Sequence, residues 1–222
     1  MREIRLIDIR EEILSDNRGL AERLRKKLTR SKTFLLNLMG SPGCGKTSLI
    51  LKTIDCLKDR FRIAVVEADV DSLVDSEKIV AAGIEAVQIR TGGFCHVDAA
   101  MAEKALQALD LDRLDLIILE NVGNLVCPAD VDTGAHANTV ILSVPEGDDK
   151  PLKYPHIFTV CDALVVNKID YMDGSDFDLE ALCKRLYALN AKLKLFEASC
   201  RTDEGIDTWS AWLAQQVESF KR

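Results

Sequence analysis

The segment LLNLMGSPGCGKTSLI, Leu35–Ile50, constrains the fold more than any other stretch of the chain. An apolar, strand-like run ends in Gly40-x-x-x-x-Gly45-Lys46-Thr47, and apolar residues then resume with helical spacing. A glycine-rich turn between a strand and a helix is the setting of a phosphate-binding loop. Gly40, Gly43 and Gly45 let the backbone curl so that its N–H groups converge on phosphate oxygens, and the helix adds the positive end of its dipole. Ser41, Pro42 and Ser48 complete the expected contact segment, with Cys44 inside it but pointing away from the phosphates. Lys46 is expected at the β- and γ-phosphate oxygens, and the Thr47 hydroxyl on Mg²⁺.

The rest of the chain repeats one grammar. Strands are predicted at 33–39, 62–68, 84–89, 115–120, 139–144, 162–167 and 193–198. Helices are predicted near 47–58, 72–82, 97–109, 176–189 and 205–219. RIAVVEAD and DLIILEN are almost continuously apolar, as strands covered on both faces of a parallel sheet must be. The fold class is therefore α/β, a doubly wound and mostly parallel sheet. Residues 8–30 carry Ile9, Ile13, Leu20, Leu24 and Leu28 among many charges, the pattern of an amphipathic leading helix. The domain division expected is 1–30 as that helix, packed on or docking from the rest, and 31–222 as the nucleotide-binding domain.

Charge and cysteine usage narrow the setting. With 29 Lys and Arg against 36 Asp and Glu, the net charge of −7 argues against a nucleic-acid partner held by bulk electrostatics. MREIRLIDIREEIL has no apolar core of a signal peptide, and no apolar run approaches the roughly 18 residues that cross a bilayer. An odd count of 7 cysteines without an export signal predicts reduced thiols and a cytoplasmic location.

The base is legible in Asn167-Lys168-Ile169-Asp170, which follows the strand DALVV. An Asp170 carboxylate can accept from both N1–H and the 2-amino group of guanine, a pair of donors adenine lacks. Asn167 is expected to anchor the loop, Lys168 to lay its stem across the ring, and Ser199-Cys200 to offer backbone donors to guanine O6. The nucleotide predicted is GTP. For the Mg²⁺ it carries, the carboxylates expected at strand ends are Asp69 and Glu120. Asp69 has an equally good alternative as a helix N-cap, whereas Glu120 sits in an otherwise apolar strand and needs a partner. Gly123 lies where a glycine would sense the γ-phosphate.

Cys56, Cys161 and Cys183 fall among apolar residues and are expected in the core. Cys95-His96 differs: TGGFCHVDAA sets a thiol beside an imidazole at the start of a helix, where the dipole favours a thiolate. Cys127 leaves the same sheet edge, so Cys95, His96 and Cys127 form a candidate site for Zn²⁺ or Ni²⁺, with coincidence as the alternative. His136 and His156 have no cysteine beside them and are assigned surface or structural roles.

GSPGCGKTSL, RTGGFCHVDA, LILENVGNLVCPADVDTG, SVPEGDDKPLKYP and NKID together resemble HypB, the GTPase family that assists nickel insertion into [NiFe]-hydrogenase. The resemblance covers essentially the whole chain. It implies a GTPase and metallochaperone of the SIMIBI branch, a GTP-dependent homodimer with Cys95, His96 and Cys127 at the interface, and as partners a nickel chaperone of HypA type and the hydrogenase large-subunit precursor. With no obvious catalytic glutamine or arginine finger near Gly123, hydrolysis is expected to be slow. The start MREIRLIDIREE lacks the cysteine- or histidine-rich nickel tract of many HypB chains, so high-affinity nickel storage there is not expected. Ser41 stands where some SIMIBI relatives carry a second lysine. Three alternatives remain: a UreG-like GTPase for urease, although the Cys-Pro-His motif of that relative is missing; a zinc-stapled, non-catalytic interaction module; and a small-molecule kinase, which leaves Asn167 to Asp170 unexplained.

Overall fold

Alternate residues along each central strand face opposite helical layers, which is why the strands read as unbroken apolar runs. In β2 (Phe34–Gly40), Phe34, Leu36 and Leu38 pack into one apolar cluster, while Leu35 and Met39 belong to clusters on the other face. The computed structural model describes residues 5–8, 17–69 and 74–222. The remaining strands are β1 (Arg5–Asp8), β3 (Ile63–Asp69), β4 (Glu85–Arg90), β5 (Leu116–Glu120), β6 (Ala137–Ser143), β7 (Ala163–Asn167) and β8 (Lys194–Glu197). All pair in parallel, in the order β1-β4-β3-β5-β2-β6-β7-β8.

Parallel neighbours need crossovers, and helices supply them. On one face lie α2 (Lys46–Leu57), α3 (Val74–Ala81) and α9 (Ile206–Lys221), with Leu49, Ile54, Ile79, Trp209 and Leu213 in a shared core. The buried Trp209 keeps its Nε1–H satisfied by donating to Thr53 Oγ1 at 2.9 Å. On the opposite face, α1 (Asn17–Ser31) and α4 (Ala99–Leu106) bring Leu24, Leu28, Met101 and Leu106 together. Farther along that face, α7 (Pro155–Val160) and α8 (Leu179–Leu189) pack Phe158, Leu182 and Leu186. Two further short helices, α5 (Cys127–Asp130) and α6 (Lys150–Lys153), complete the order. Among the described residues no helix is long and apolar enough to cross a membrane.

Three expectations change. The leading segment differs at its first residue: Arg5–Asp8 pairs with β4 as an edge strand, and the described part of the helix runs Asn17–Ser31. Ile9 and Ile13 lie outside the described residues. The four-residue run RLID is too short for its period to declare itself. The short helices α5, α6 and α7 were not anticipated, although each has a proline in its first turn, where the missing N–H costs nothing. Of the three cysteines expected in the core only Cys161 is buried, and burial pushes its pKa up to about 12; Cys56 is exposed and Cys183 partly so.

His136 is structural, as expected. Its Nδ1 accepts from the Leu35 N–H at 3.0 Å, its ring contacts Phe34 and Phe220, and burial lowers its pKa to about 4.

Candidate nucleotide and metal site

The strand order reverses around β2, whose neighbours are β5 and β6, and ligands of such sheets bind at the carboxyl ends of the strands beside that point. The glycine-rich loop leaves β2 there. Gly45 takes φ 102° and opens α2, and a Cβ at this position would sit 2.3 Å from Asn167 Nδ2. Glycine is thus required for both conformation and approach. Asn167 Nδ2 donates to Cys44 O at 2.9 Å, and Lys168 Nζ donates to Gly43 O at 2.8 Å. The base motif is therefore bonded directly to the phosphate loop. Lys168 holds a left-handed φ of 61°, a strain of about 1 kcal/mol for a non-glycine residue. Lys46 is buried, with Nζ 3.3 Å from Ser41 O, so its ammonium stays within the loop. Cys44 turns into the apolar core, where burial pushes its thiol up to about 11.

A cavity of about 370 Å³ beside the loop is lined by Gly45, Ser48, Pro145, Asn167, Asp170 and Tyr171, among others. Ser199 Oγ donates to Asp170 Oδ1 at 2.6 Å and orients the carboxylate. Asp170 Oδ2 is buried without a hydrogen-bond partner; Arg201 Nη1, at 3.6 Å, is too far for one. An oriented acceptor left open at the base motif fits the paired donors of guanine. The Lys168 ammonium is engaged by the loop, which leaves the stem to lie across a bound ring. The backbone donors of Ser199 and Cys200 are also largely taken. Ser199 N–H donates to Glu204 O at 2.9 Å, and Cys200 N–H makes a long 3.3 Å bond to Asn167 Oδ1, because this turn is closed on itself.

A second cavity, about 590 Å³, adjoins the first through Gly45, Ser48 and Lys168 and reaches Lys46, Thr47, Asp69 and Glu120. Thr47 Oγ1 donates to Glu120 Oε1 at 3.2 Å, the partner that a carboxylate in an apolar strand required. The residue missed by sequence reasoning is Glu67, which pairs with Glu120 across β3 and β5. Both are buried, and Glu67 Oε1 and Glu120 Oε2 lack hydrogen-bond partners. Burial raises the pKa of each, and for Glu67 the adjacent Glu120 charge raises it further. Two open carboxylate oxygens beside a threonine hydroxyl fit a hard divalent cation. Asp69 is exposed at the end of β3 and lines the same cavity; residues 70–73, on which its capping alternative depends, lie outside the described residues.

Gly123 lies against the loop: a Cβ there would meet Pro42 at 2.9 Å. Four residues on, Cys127 opens α5 and joins Cys95 and His96, with ligand atoms all within 4.8 Å of one another. Cys95 Sγ and His96 Nδ1 are 3.8 Å apart. Two thiols and an imidazole suit a soft or borderline cation such as Ni²⁺ or Zn²⁺. The expected dipole effect on Cys95 is absent, because α4 begins only at Ala99. The Cys127 thiol instead raises the pKa of Cys95, and a metal must displace its proton.

Side-chain amides brace this region, a role with no signature in sequence spacing. The buried Asn121 accepts from Val97 N–H at 3.0 Å and donates to Asn37 Oδ1 at 3.0 Å. Asn17 of α1 accepts from Ala99 N–H and donates to Asp132 O, each at 2.9 Å, tying the segments that follow His96 and Cys127.

Residues 34–197 match the family described as CobW/HypB/UreG, nucleotide-binding domain. The chain is 40% identical to hydrogenase maturation factor HypB of Escherichia coli K12 over 216 residues, covering 97% of this chain and 74% of that one. It is 44% identical to the hydrogenase/urease maturation factor HypB of Helicobacter hepaticus over 204 residues, covering 90% and 84%. The crystal structure of HypB from Helicobacter pylori in complex with nickel superposes with a TM-score of 0.88 at 34% identity, covering 94% of this chain and 98% of that one. By matched residues, identity and fold, the chain belongs to the HypB family of hydrogenase maturation factors, within the CobW/HypB/UreG group of nucleotide-binding domains.

Proposed function

We propose that this protein hydrolyses GTP slowly and uses the nucleotide to control delivery of nickel during hydrogenase maturation. One observation carries the reading. The segment from Glu120 to Cys127 holds a carboxylate of the Mg²⁺ site, presses Gly123 against Pro42 of the phosphate loop, and ends in a thiol of the metal cluster. A single short stretch of chain therefore belongs to both sites.

When bound, Mg²⁺ supplies charge neutralisation on the phosphates. Thr47, Glu120 and Glu67 are the groups that would hold it, with Asp69 beside them. Lys46 binds β- and γ-phosphate oxygens, the N–H groups of Gly43 to Thr47 orient them, and Asp170 selects guanine. Cys95, His96 and Cys127 carry the nickel cargo, or zinc in its place. Three ligands leave a tetrahedral ion incomplete, and two chains facing across a two-fold axis pool six. The exposed Val126 next to Cys127 supports an interface at this face. The partners that follow are a second copy of the chain, a nickel chaperone of HypA type and a hydrogenase large-subunit precursor. A urease apoenzyme as recipient is the second reading, supported by the name of the Helicobacter hepaticus relative.

Nucleotide competition tests the base reading. GTP should displace a fluorescent GDP analogue while ATP does not, and Asp170→Asn should weaken GTP by ~100-fold, as expected for losing hydrogen bonds to a charged acceptor. Equal competition by ATP and GTP on the unaltered chain defeats the proposal.

A further inference from the structure

We infer that Asn124 is the positioning residue through which the phosphate loop sets the geometry of the cysteine–histidine metal site. This rests on the reading above, that the nucleotide and metal sites are coupled, and names the contact that couples them.

Asn124 makes three bonds to three different parts of the site. Its backbone N–H donates to Gly40 O at 3.0 Å, an isolated antiparallel bridge that fastens the segment after Gly123 to the first residue of the phosphate loop. Its Oδ1 accepts from the Val126 N–H at 2.9 Å, closing the turn that delivers Cys127 to α5. Its Nδ2 donates to Cys95 O at 3.2 Å, across the gap to the loop that carries the other two ligands. One short side chain thus holds the segment after β5 that carries Cys127 and the segment after β4 that carries Cys95, two strands away, while its main chain is tied to Gly40.

Asn121 does not duplicate this arrangement. It is fully buried and held by Asn37, and it reaches Val97 rather than the ligands' own peptides. Asn124 is half-buried and adjacent to Gly123, so a shift of Gly123 against Pro42 moves its amide directly. Displacing that amide by about 1 Å breaks a 3.2 Å bond. Cys95 and Cys127 then lose their common brace together, and their spacing is released without change in either side chain.

The substitutions that isolate this role are Asn124→Ala and Asn124→Asp. Both keep the backbone bond to Gly40. Asn124→Asp also keeps the acceptor for Val126 and removes the donor to Cys95 but adds a charge, and the uncharged Asn124→Ala separates the two effects. Zn²⁺ and Ni²⁺ affinities are measured by competition with a chromophoric chelator, on the full chain loaded with either GDP or a non-hydrolysable GTP analogue. The unaltered chain should show a ratio of affinities between the two nucleotide states of ~5-fold or more, the usual scale of coupling between sites. In both variants the ratio should fall to about one, with nucleotide affinity within about twofold of the original. A purely structural asparagine would weaken metal binding equally in both states and leave the ratio intact; that result overturns the role given to Asn124 alone. An unaltered chain with equal metal affinity in both states overturns the coupled reading of the site, and Asn124's role with it.

Discussion

Glu67 and Glu120 are direct partners across the β3–β5 ladder, and both carboxyl groups are buried at its carboxyl end beside Thr47. Burial raises the pKa of both, the Glu120 charge raises that of Glu67 further, and the contact with Glu67 draws that of Glu120 back, so ionising both costs stability unless a cation lies between them. Their arrangement is intelligible as half of a Mg²⁺ site.

Glu67→Gln keeps the shape and removes a buried carboxyl group that must ionise before the pair can hold a cation. Without nucleotide, the variant should be more stable by on the order of 1 kcal/mol, read as a higher melting temperature. With Mg²⁺ present, nucleotide affinity should drop by ~10-fold or more through loss of a charged ligand. Titrations with Mg²⁺ and with a chelator check this, and an unchanged Mg²⁺ dependence would remove Glu67 from the neighbourhood of the ion.

The leading helix is expected to be integral to the domain. Leu24 and Leu28 are buried with Met101 and Leu106, and Arg25 pairs with Asp132. Leu24→Ala should therefore lower unfolding free energy by about 2–5 kcal/mol. Urea denaturation measures it. A loss below about 0.5 kcal/mol, the scale of an exposed substitution, would instead mark α1 as a loosely held docking arm.

His136 sets a pH dependence. Its folded pKa, about 4, lies below the ordinary histidine value because burial disfavours the imidazolium, and nearby Arg25 adds to this. The unfolded chain then binds more protons than the folded one between roughly pH 6.5 and 4. The stabilisation is complete above the unfolded value and is lost as pH falls through that window, by on the order of 2 kcal/mol. Chemical denaturation across the window should show that slope, and His136→Gln should flatten it.

Much of this was legible in the sequence because motifs tie chemistry to spacing. The phosphate loop, Asn167 to Asp170 and the Cys95, His96 and Cys127 trio all lie at strand ends that period alone locates. Glu67 carries the same signal as Glu120, a carboxylate inside a buried strand, but its run ends in Asp69, whose strand-end position is the more familiar one for a metal ligand. The strand Arg5–Asp8 is too short to show a period. Asn17, Asn121 and Asn124 act through single amide bonds between segments distant in sequence, and only the folded chain brings those together. The backbone donors of Ser199 and Cys200 were misjudged for the same reason, since their partners Glu204 and Asn167 are set by the closed turn.

The most direct test of nucleotide-controlled metal handling is the mass of the particle. Light scattering is recorded on the full chain with GDP or a non-hydrolysable GTP analogue, each with and without one equivalent of Ni²⁺ or Zn²⁺. The GTP analogue with metal should give a dimer near twice the chain mass of 24.6 kDa, and GDP should shift the population toward the monomer. Cys127→Ala should abolish the metal's contribution to that dimer. A mass that is the same with either nucleotide, with metal or without it, would contradict the coupling.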